Sequence, residues 1–522
     1  MHKMIRRRFY RGLFSLVLCM LLTISLLPAP EGLNADASNP FVIMLDPGHG
    51  GSDGGAVRGD NEERVFNEKL ADACRKELAG YDNVLVYITR ENDADISTYA
   101  RSMYAKRVQA DLFISFHINA NNYAGAKGAE IYVPHGNWKP EIAIESKNLA
   151  NRILTNFAEL DLPGYGLTNN RLKNRGVKTR LIQDDIRLFY PDGSQGDYYE
   201  VIRMGVHNNI PAMIIEHAFI SNAADLAMLR DDAALEKLGK ATANAIVAQY
   251  NLKKTGKTLE QPVFKGQTSV ISMGKVQSNH TVGGKPITLS ASGGTGTGEY
   301  VFYSNNPKVV RIEGNQAYIV GAGDVRLSVT RYEDGTYLPR SLPDINRPSI
   351  KVSSLTTQLL LSVEDNYRGA NGKQTVVLSC RPATGLEYGA VPYGTVTFFN
   401  NNVKLGTAQF NDDGSCTLHV ADIEPGNYTF TASYESGNFD GFAMNNVASV
   451  SYEVVRTEPT PTPLEPSEPT GEMTEGDPSE RPSSKDDSGA MMTNRIVILA
   501  FAIAGVVILI AIIILAVCRF RG

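Results

Sequence analysis

The sequence predicts an α/β domain built on a mostly parallel twisted sheet flanked by helices, then two all-β sandwiches, a disordered stalk and one transmembrane helix. Three observations carry this. Short apolar runs alternate with helical periodicity up to about residue 252, the pattern that successive βα units produce. Beyond about residue 260 helical periodicity stops, and short alternating runs separated by Gly, Asn and Asp clusters take over, as in sandwich strands. A proline-rich acidic segment then leads into an uncharged apolar run.

In chain order, Arg6, Arg7, Arg8 and Arg11 precede an apolar core at 13–27, and Ala35-Asp36-Ala37 offers a small-x-small cleavage site. This is the anatomy of a secretory signal peptide over 1–37, with an uncleaved N-terminal anchor as the alternative. The α/β domain is expected over 38–260. Its strands fall at 42–45, 84–88, 112–117, 129–133 and 212–215, and its helices at 63–78, 97–108, 142–157 and 233–250. The first β module, 261–354, has strands at 286–291, 300–303, 316–320 and 324–329; the second, 355–455, has them at 375–380, 394–399, 415–420 and 426–434.

Residues 456–494 hold seven prolines, nine acidic and three basic residues and no aromatics. Such a segment buries no core and reads as an extended spacer. Residues 496–517 carry no charge over 22 positions, enough to cross a bilayer as a helix. The transmembrane segment is set at 495–518 and a cytoplasmic tail at 519–522. Arg519 and Arg521 favour a cytoplasmic C-terminus, so the bulk of the chain is expected outside the cell as a single-pass protein.

At 522 residues with a net charge of −5, the composition points away from nucleic acid. Of five cysteines, Cys19 lies in the leader and Cys518 in the apolar segment. The remaining Cys74, Cys380 and Cys416 are too few for a disulfide scaffold. Cys380 and Cys416 share one β-rich region, where a disulfide and a buried reduced pair both remain open.

The chemistry concentrates in Leu45-Asp46-Pro47-Gly48-His49-Gly50-Gly51. A buried strand that ends in a Gly-rich turn delivers an imidazole to the end of a sheet, where open α/β folds place ligands. His117 closes another apolar strand, and a carboxylate, Glu63 or its equally suitable neighbour Glu62, begins a helix. Two histidines and a carboxylate with one open position is a catalytic zinc set. Taken singly, each has a plainer reading: a turn histidine, a helix-start carboxylate, a core histidine. Glu216 closes the buried run 211–216. A carboxylate there is costly without a partner or a task, and beside a zinc-bound water it would serve as the proton carrier.

Asp46-Pro47-Gly48-His49-Gly50-Gly51, Glu63-Arg64-Val65-Phe66-Asn67, Phe113 to Ala120 and Ile215 to Asn222, in that order, resemble the zinc-dependent N-acetylmuramoyl-L-alanine amidases of bacterial cell walls, the type-3 amidases, over about residues 41–251. The resemblance implies one Zn2+ ion held by His49, Glu63 and His117, with Glu63 favoured over Glu62 by the spacing to Asn67, and Glu216 as the catalytic glutamate. It implies peptidoglycan as substrate, cut between muramic acid and L-alanine for cell-wall remodelling. Whether an activator protein is needed stays open. A surface wall-binding or adhesive protein with a non-cutting amidase-like domain is the alternative, and a zinc peptidase acting on stem peptides a third.

Two departures from the family pattern stand out. His217 follows Glu216 directly, either to stabilise an oxyanion or to point to the opposite face of its strand. An insert runs from Thr179 to about Asp197, with Phe189, Tyr190, Tyr198 and Tyr199 nearby, and shapes or covers the groove. The second β module resembles bacterial Ig-like repeats, through 394–408 and 425–432, and the first resembles a related surface module, through 291–298 and 320–323, which implies spacers or adhesive units.

Overall fold

The computed structural model describes residues 39–162, 171–183, 188–368, 374–437 and 440–455. The signal peptide, stalk and transmembrane segment expected at 1–37, 456–494 and 495–518 lie outside the described residues. Among the described residues, no helix is long and apolar enough to cross a membrane.

The α/β domain runs β1 (Phe41–Pro47), α1 (Glu63–Leu78), β2 (Val84–Ile88), α2 (Thr98–Arg107), β3 (Leu112–Asn119), β4 (Ala129–Tyr132), α3 (Pro140–Glu159), β5 (Asn174–Lys178), α4 (Glu200–His207), β6 (Ala212–Phe219), α5 (Ala223–Leu229) and α6 (Asp232–Tyr250). The six strands form one sheet in the order β2-β1-β3-β6-β4-β5. All neighbours are parallel except β4 and β6. Covered on both faces, β1 is buried throughout, which is why it reads as a continuous apolar run rather than an alternating one. Strand β5 and helices α4 and α5 were not among the expected elements. The strand, Asn174-Arg175-Gly176-Val177-Lys178, is polar apart from Gly176 and Val177 and has no fully buried residue, so no apolar period marks it.

Helix α1 buries Phe66, Leu70, Cys74 and Leu78, a stripe at every fourth residue that faces the sheet and α6. Gly239 of α6 sits where the two helices touch. A Cβ there would lie 2.6 Å from both Ala73 Cβ and Leu70 O, so only glycine permits this approach.

Strand β1 ends on buried Asp46. Its carboxylate accepts hydrogen bonds from Arg101 Nη1 (2.6 Å), Thr89 Oγ1 (2.6 Å) and Ser115 Oγ (2.6 Å). Burial alone would raise its pKa; the Arg101 charge and these hydrogen bonds outweigh burial and hold it below the ordinary value. Arg101 also donates to the carbonyls of Pro47 (2.8 Å), His49 (2.6 Å) and Ile96 (3.1 Å). Arg90, equally buried, donates to Pro47 O (2.9 Å), Gly48 O (3.1 Å) and Arg64 O (2.9 Å). The loop leaving β1 is thus held by two guanidinium groups beneath it.

The chain after α6 lies along the outer edge of the sheet. Gln261 Nε2 donates to Val84 O (2.9 Å) and Val86 N donates to Gln261 Oε1 (3.0 Å), covering the free edge of β2. In the first β module, Ser349–Ser353, Gly323–Arg331, Tyr300–Ser304 and Arg340–Ser341 share one sheet, and Ile287–Thr288, Gln316–Ile319 and Val310–Glu313 form another. The single strand expected at 286–291 is two: Ile287–Thr288 and Ala291–Gly293 belong to different sheets. The module is not a separate bead. Tyr332 and Leu338 are buried in the same apolar core as the α/β domain.

The second β module pairs a sheet of Leu359–Arg368, Gln374–Pro382 and Cys416–Ala421 with one of Val403–Gln409, Gly394–Asn400, Gly426–Ser436 and Ala448–Val454. Cys380 and Cys416 stand directly opposite one another on paired strands, as free buried thiols.

Replacing Asp46 by Asn leaves Arg101 buried without its counter-ion, and should destabilise the protein by about 3–5 kcal/mol, read by urea unfolding. Because Asp46 titrates below its unfolded value of about 3.9, its contribution is complete above that pH and is lost as pH falls through the lower folded value. The stability difference between wild type and Asp46→Asn should therefore shrink in acid.

Candidate metal centre and active site

The loop after β1 turns tightly, with Gly50 N donating to Asp53 O (2.8 Å) and Asp53 N to Gly50 O (3.1 Å). This places His49 in the left-handed region, with φ of 62°, a conformation that costs a non-glycine residue free energy. The Arg101 bond to His49 O holds it there. His49 Nδ1 lies 2.7 Å from Asp53 Oδ2, and its Nε2 lies 3.2 Å from Glu63 Oε1. His117, near the end of β3, brings Nδ1 within 2.8 Å of the same Glu63 oxygen. The ligand atoms of His49, Glu63 and His117 all lie within 4.8 Å of one another.

Glu63 is oriented from several sides. Ile118 N donates to Oε1 (2.9 Å), Ala56 N to Oε2 (2.8 Å), and Asn67 Nδ2 reaches Oε1 at 3.4 Å while bonding Gly48 O at 3.1 Å. Glu62 turns away to pair with Arg64. The cradle is tight: a Cβ at Gly48 would sit on the His117 ring, and one at Gly55 would lie 2.6 Å from His49 Cδ2 and 2.7 Å from Glu63 Oε2.

The electrostatics favour a cation. Burial alone would lower the His49 pKa, but Asp53 and Glu63 push it up to about 9. Burial alone would raise Glu63, but His117 and His49 hold it far below the ordinary carboxylate range. A site this eager for positive charge, with two imidazoles and one carboxylate, has the donor set and number of a catalytic zinc centre. Asp53 fixes which His49 nitrogen is free, the usual work of a carboxylate behind a metal-binding histidine. Sequence reasoning passed over Asp53, although its place four residues beyond His49 in a Gly-rich turn was available as a signal.

Glu216 on β6 is in register with His117 on β3 and with Glu130 on β4. Its Oε2 is buried without a hydrogen-bond partner, although the side chain lines the same cleft as His49, Glu63 and His117. Burial, reinforced by the Glu63 and Glu130 charges, pushes its carboxyl well above the ordinary value. Glu130 is itself anchored by Arg175 Nε (2.8 Å) and Asn119 Nδ2 (3.1 Å). His217 faces the other way: its ring lies between Phe116 and Phe157, each 5.4 Å away, and burial pushes its pKa down to about 4. It is a core residue.

The cleft has a volume of about 460 Å³ and runs past Tyr199 and Glu200 to Leu342, Asp344 and Arg347 of the first β module. Of the aromatics around the insert, Tyr199 lines the cleft, whereas Tyr190 packs against Trp138 at 4.8 Å and bonds Asp197 (2.6 Å) away from it.

Comparison with known proteins identifies the domains. Residues 43–248 match the N-acetylmuramoyl-L-alanine amidase family and residues 366–455 match the bacterial Ig-like domain (group 3). The α/β domain is therefore of the amidase type, and the C-terminal β-rich region carries an Ig-like domain. The chain is 31% identical over 215 residues to N-acetylmuramoyl-L-alanine amidase LytC of Bacillus subtilis, a match that covers 41% of this chain and 36% of that protein. It is 27% identical over 218 residues to N-acetylmuramoyl-L-alanine amidase CwlM of Bacillus licheniformis, covering 42% of this chain and 72% of that one. Among solved structures, Cwp6 from Clostridium difficile aligns with 29% identity and a TM-score of 0.33, covering 41% of this chain and 30% of that chain.

Two substitutions probe the cradle. With added divalent cation as the probe of the His49–Glu63–His117 cluster, Gly48→Ala should displace the His117 ring and weaken binding by about tenfold or more, and Asp53→Ala should weaken it by about 10- to 100-fold. Both are read by titration of the metal-free protein against a competing chelator.

Proposed function

We propose that the chain is a zinc-dependent amidase that cuts the bond between N-acetylmuramic acid and L-alanine of peptidoglycan, and that it remodels the cell wall from the outer face of the membrane. The observation that carries this is the pairing of a His49–Glu63–His117 cluster with a buried, unpartnered Glu216 oxygen in one cleft. An isolated binding domain has no chemical need for that oxygen, since burying it unpaired costs stability. The match of residues 43–248 to the amidase family supports the bond assigned.

In this reading His49, Glu63 and His117 would hold one zinc ion, which when bound would polarise the lactyl carbonyl and acidify water. Glu216 accepts a proton from the attacking water. It then returns that proton to the amide nitrogen as the C–N bond breaks, leaving a lactyl carboxylate and a free L-alanine amine. Its raised pKa suits the first transfer, and a cation in the neighbouring cluster would oppose that rise. The sequence patterns read as a signal peptide over 1–37, a stalk over 456–494 and a transmembrane segment over 495–518 support secretion and membrane anchoring in this reading, with the β modules as spacers.

The test is to incubate the full chain with zinc and intact peptidoglycan and to label new amino termini. L-Alanine termini that vanish with chelator are expected. Other termini would make the protein a zinc peptidase, and no termini with zinc bound would favour the wall-binding alternative. Glu216→Gln should retain zinc and wall binding while lowering turnover by about 10³-fold or more, within the range for loss of acid–base catalysis.

A further inference from the structure

We propose that the first β module completes the substrate cleft, and that Arg347 is the residue through which it binds a carboxylate on the peptide being cut. This rests on the amidase reading above. Leu342, Asp344 and Arg347 line the same cleft as His49, His117 and Glu216, although they lie far along the chain from the metal cradle. They do so because the module is fastened to the α/β domain around the cleft. Ser341 N donates to Asp95 O (2.8 Å), and Ser341 Oγ accepts from Ser97 N (3.0 Å). Tyr303 stacks on Tyr99 at 3.9 Å and donates to Glu200 Oε1 (2.6 Å), while Arg107 reaches Glu299 (2.7 Å) and Glu333 (2.9 Å).

One carboxylate joins the module to the metal loop. Asp95 Oδ1 accepts from Ser52 N (2.8 Å) and Ser52 Oγ (2.6 Å), three residues past His49, while its Oδ2 faces Arg340 of the module at 3.8 Å. The position of Arg347 relative to the reacting centre is therefore fixed by built contacts.

Charge singles out Arg347. Among the described residues two arginines line the cleft, and the rest of its ionisable lining is acidic apart from the histidines. Arg101 is committed to Asp46 and to three backbone carbonyls. Arg347 pairs, among the described side chains, only with Asp344, whose side chain is 67% exposed, and its own side chain, 19% exposed, lines the cleft. A surface partner of that kind contributes little and is readily exchanged, and a guanidinium is the side chain best shaped to take a carboxylate. The peptide on the leaving side of the cut amide bears its first carboxylate on its second residue, and that is the group assigned to Arg347.

The experiment uses the full chain and two probes: N-acetylmuramoyl-L-alanyl-γ-D-glutamyl-L-lysine, and the same compound with the second-residue carboxylate converted to carboxamide. The readout is the ratio of kcat/KM between acid and amide. Arg347→Ala should lower that ratio by about 10- to 100-fold, mainly through KM, as loss of a charged hydrogen bond does, and Arg347→Lys should restore part of it. Asp344→Asn, which removes the competing carboxylate, should raise the ratio about two- to fivefold. Ratios that do not move in Arg347→Ala and Asp344→Asn, with L-alanine still released, overturn the subsite and leave the amidase reading intact. Binding of both probes to the Glu216→Gln chain, with and without Arg347→Ala, separates the two ideas from the other side. If the wild type releases no L-alanine yet acid-selective binding depends on Arg347, the subsite stands and the amidase reading fails.

Discussion

The site depends on how the carbonyls of Pro47, Gly48 and His49 are satisfied. A strand that ends in a tight Gly-rich turn leaves these groups inside protein, where an unmet carbonyl is expensive. Arg90 and Arg101 meet them from below, and both are nearly fully buried. Two like charges so close are tolerable because Asp46 and Glu68 answer them. Even so, burial and the neighbouring Arg101 push the Arg90 pKa down to about 10. The left-handed backbone at His49 is thus over-determined by the core, and the imidazole is aimed before any ligand arrives.

Much of the α/β domain is legible because its central strands are buried on both faces and helices α1 and α3 carry clean apolar stripes. The runs that became β1, β3 and β6, and the stripe of α1, follow directly from apolar spacing. The polar strand β5 leaves no such trace, because it hides only one large apolar side chain, Val177, too few to set a period. Antiparallel pairing of β4 with β6 was equally silent, since strand direction is a tertiary property.

The site divides in the same way. His49, His117 and Glu216 sit at the ends of apolar runs, where a polar residue contradicts its surroundings and so draws notice. The choice between Glu62 and Glu63 turns on one step of helix rotation: Glu63 faces inward to Ile118 N and the histidines, and Glu62 faces Arg64. His217 alternates with Glu216 along β6, and the pleat sends it to the core between two phenylalanines. Asp53 shows only through its spacing from His49, whereas Glu130 and the module residues Ser341 and Arg347 gain meaning through their places on neighbouring strands or in a cleft built from distant parts of the chain, which composition and spacing do not reveal.

The chain that follows α6 also sets the limits of what can fold alone. Residues 251–264 cover the free edge of β2, and Tyr332 and Leu338 fill part of the α/β core from the next module. The segment that matches the amidase family stops at residue 248, short of both. Excised at that point, it would present a bare strand edge beside an apolar hollow, the combination that templates aggregation. The first β module is therefore part of what closes the α/β domain, since it supplies side chains to that domain's core and follows directly on the segment that caps its sheet edge.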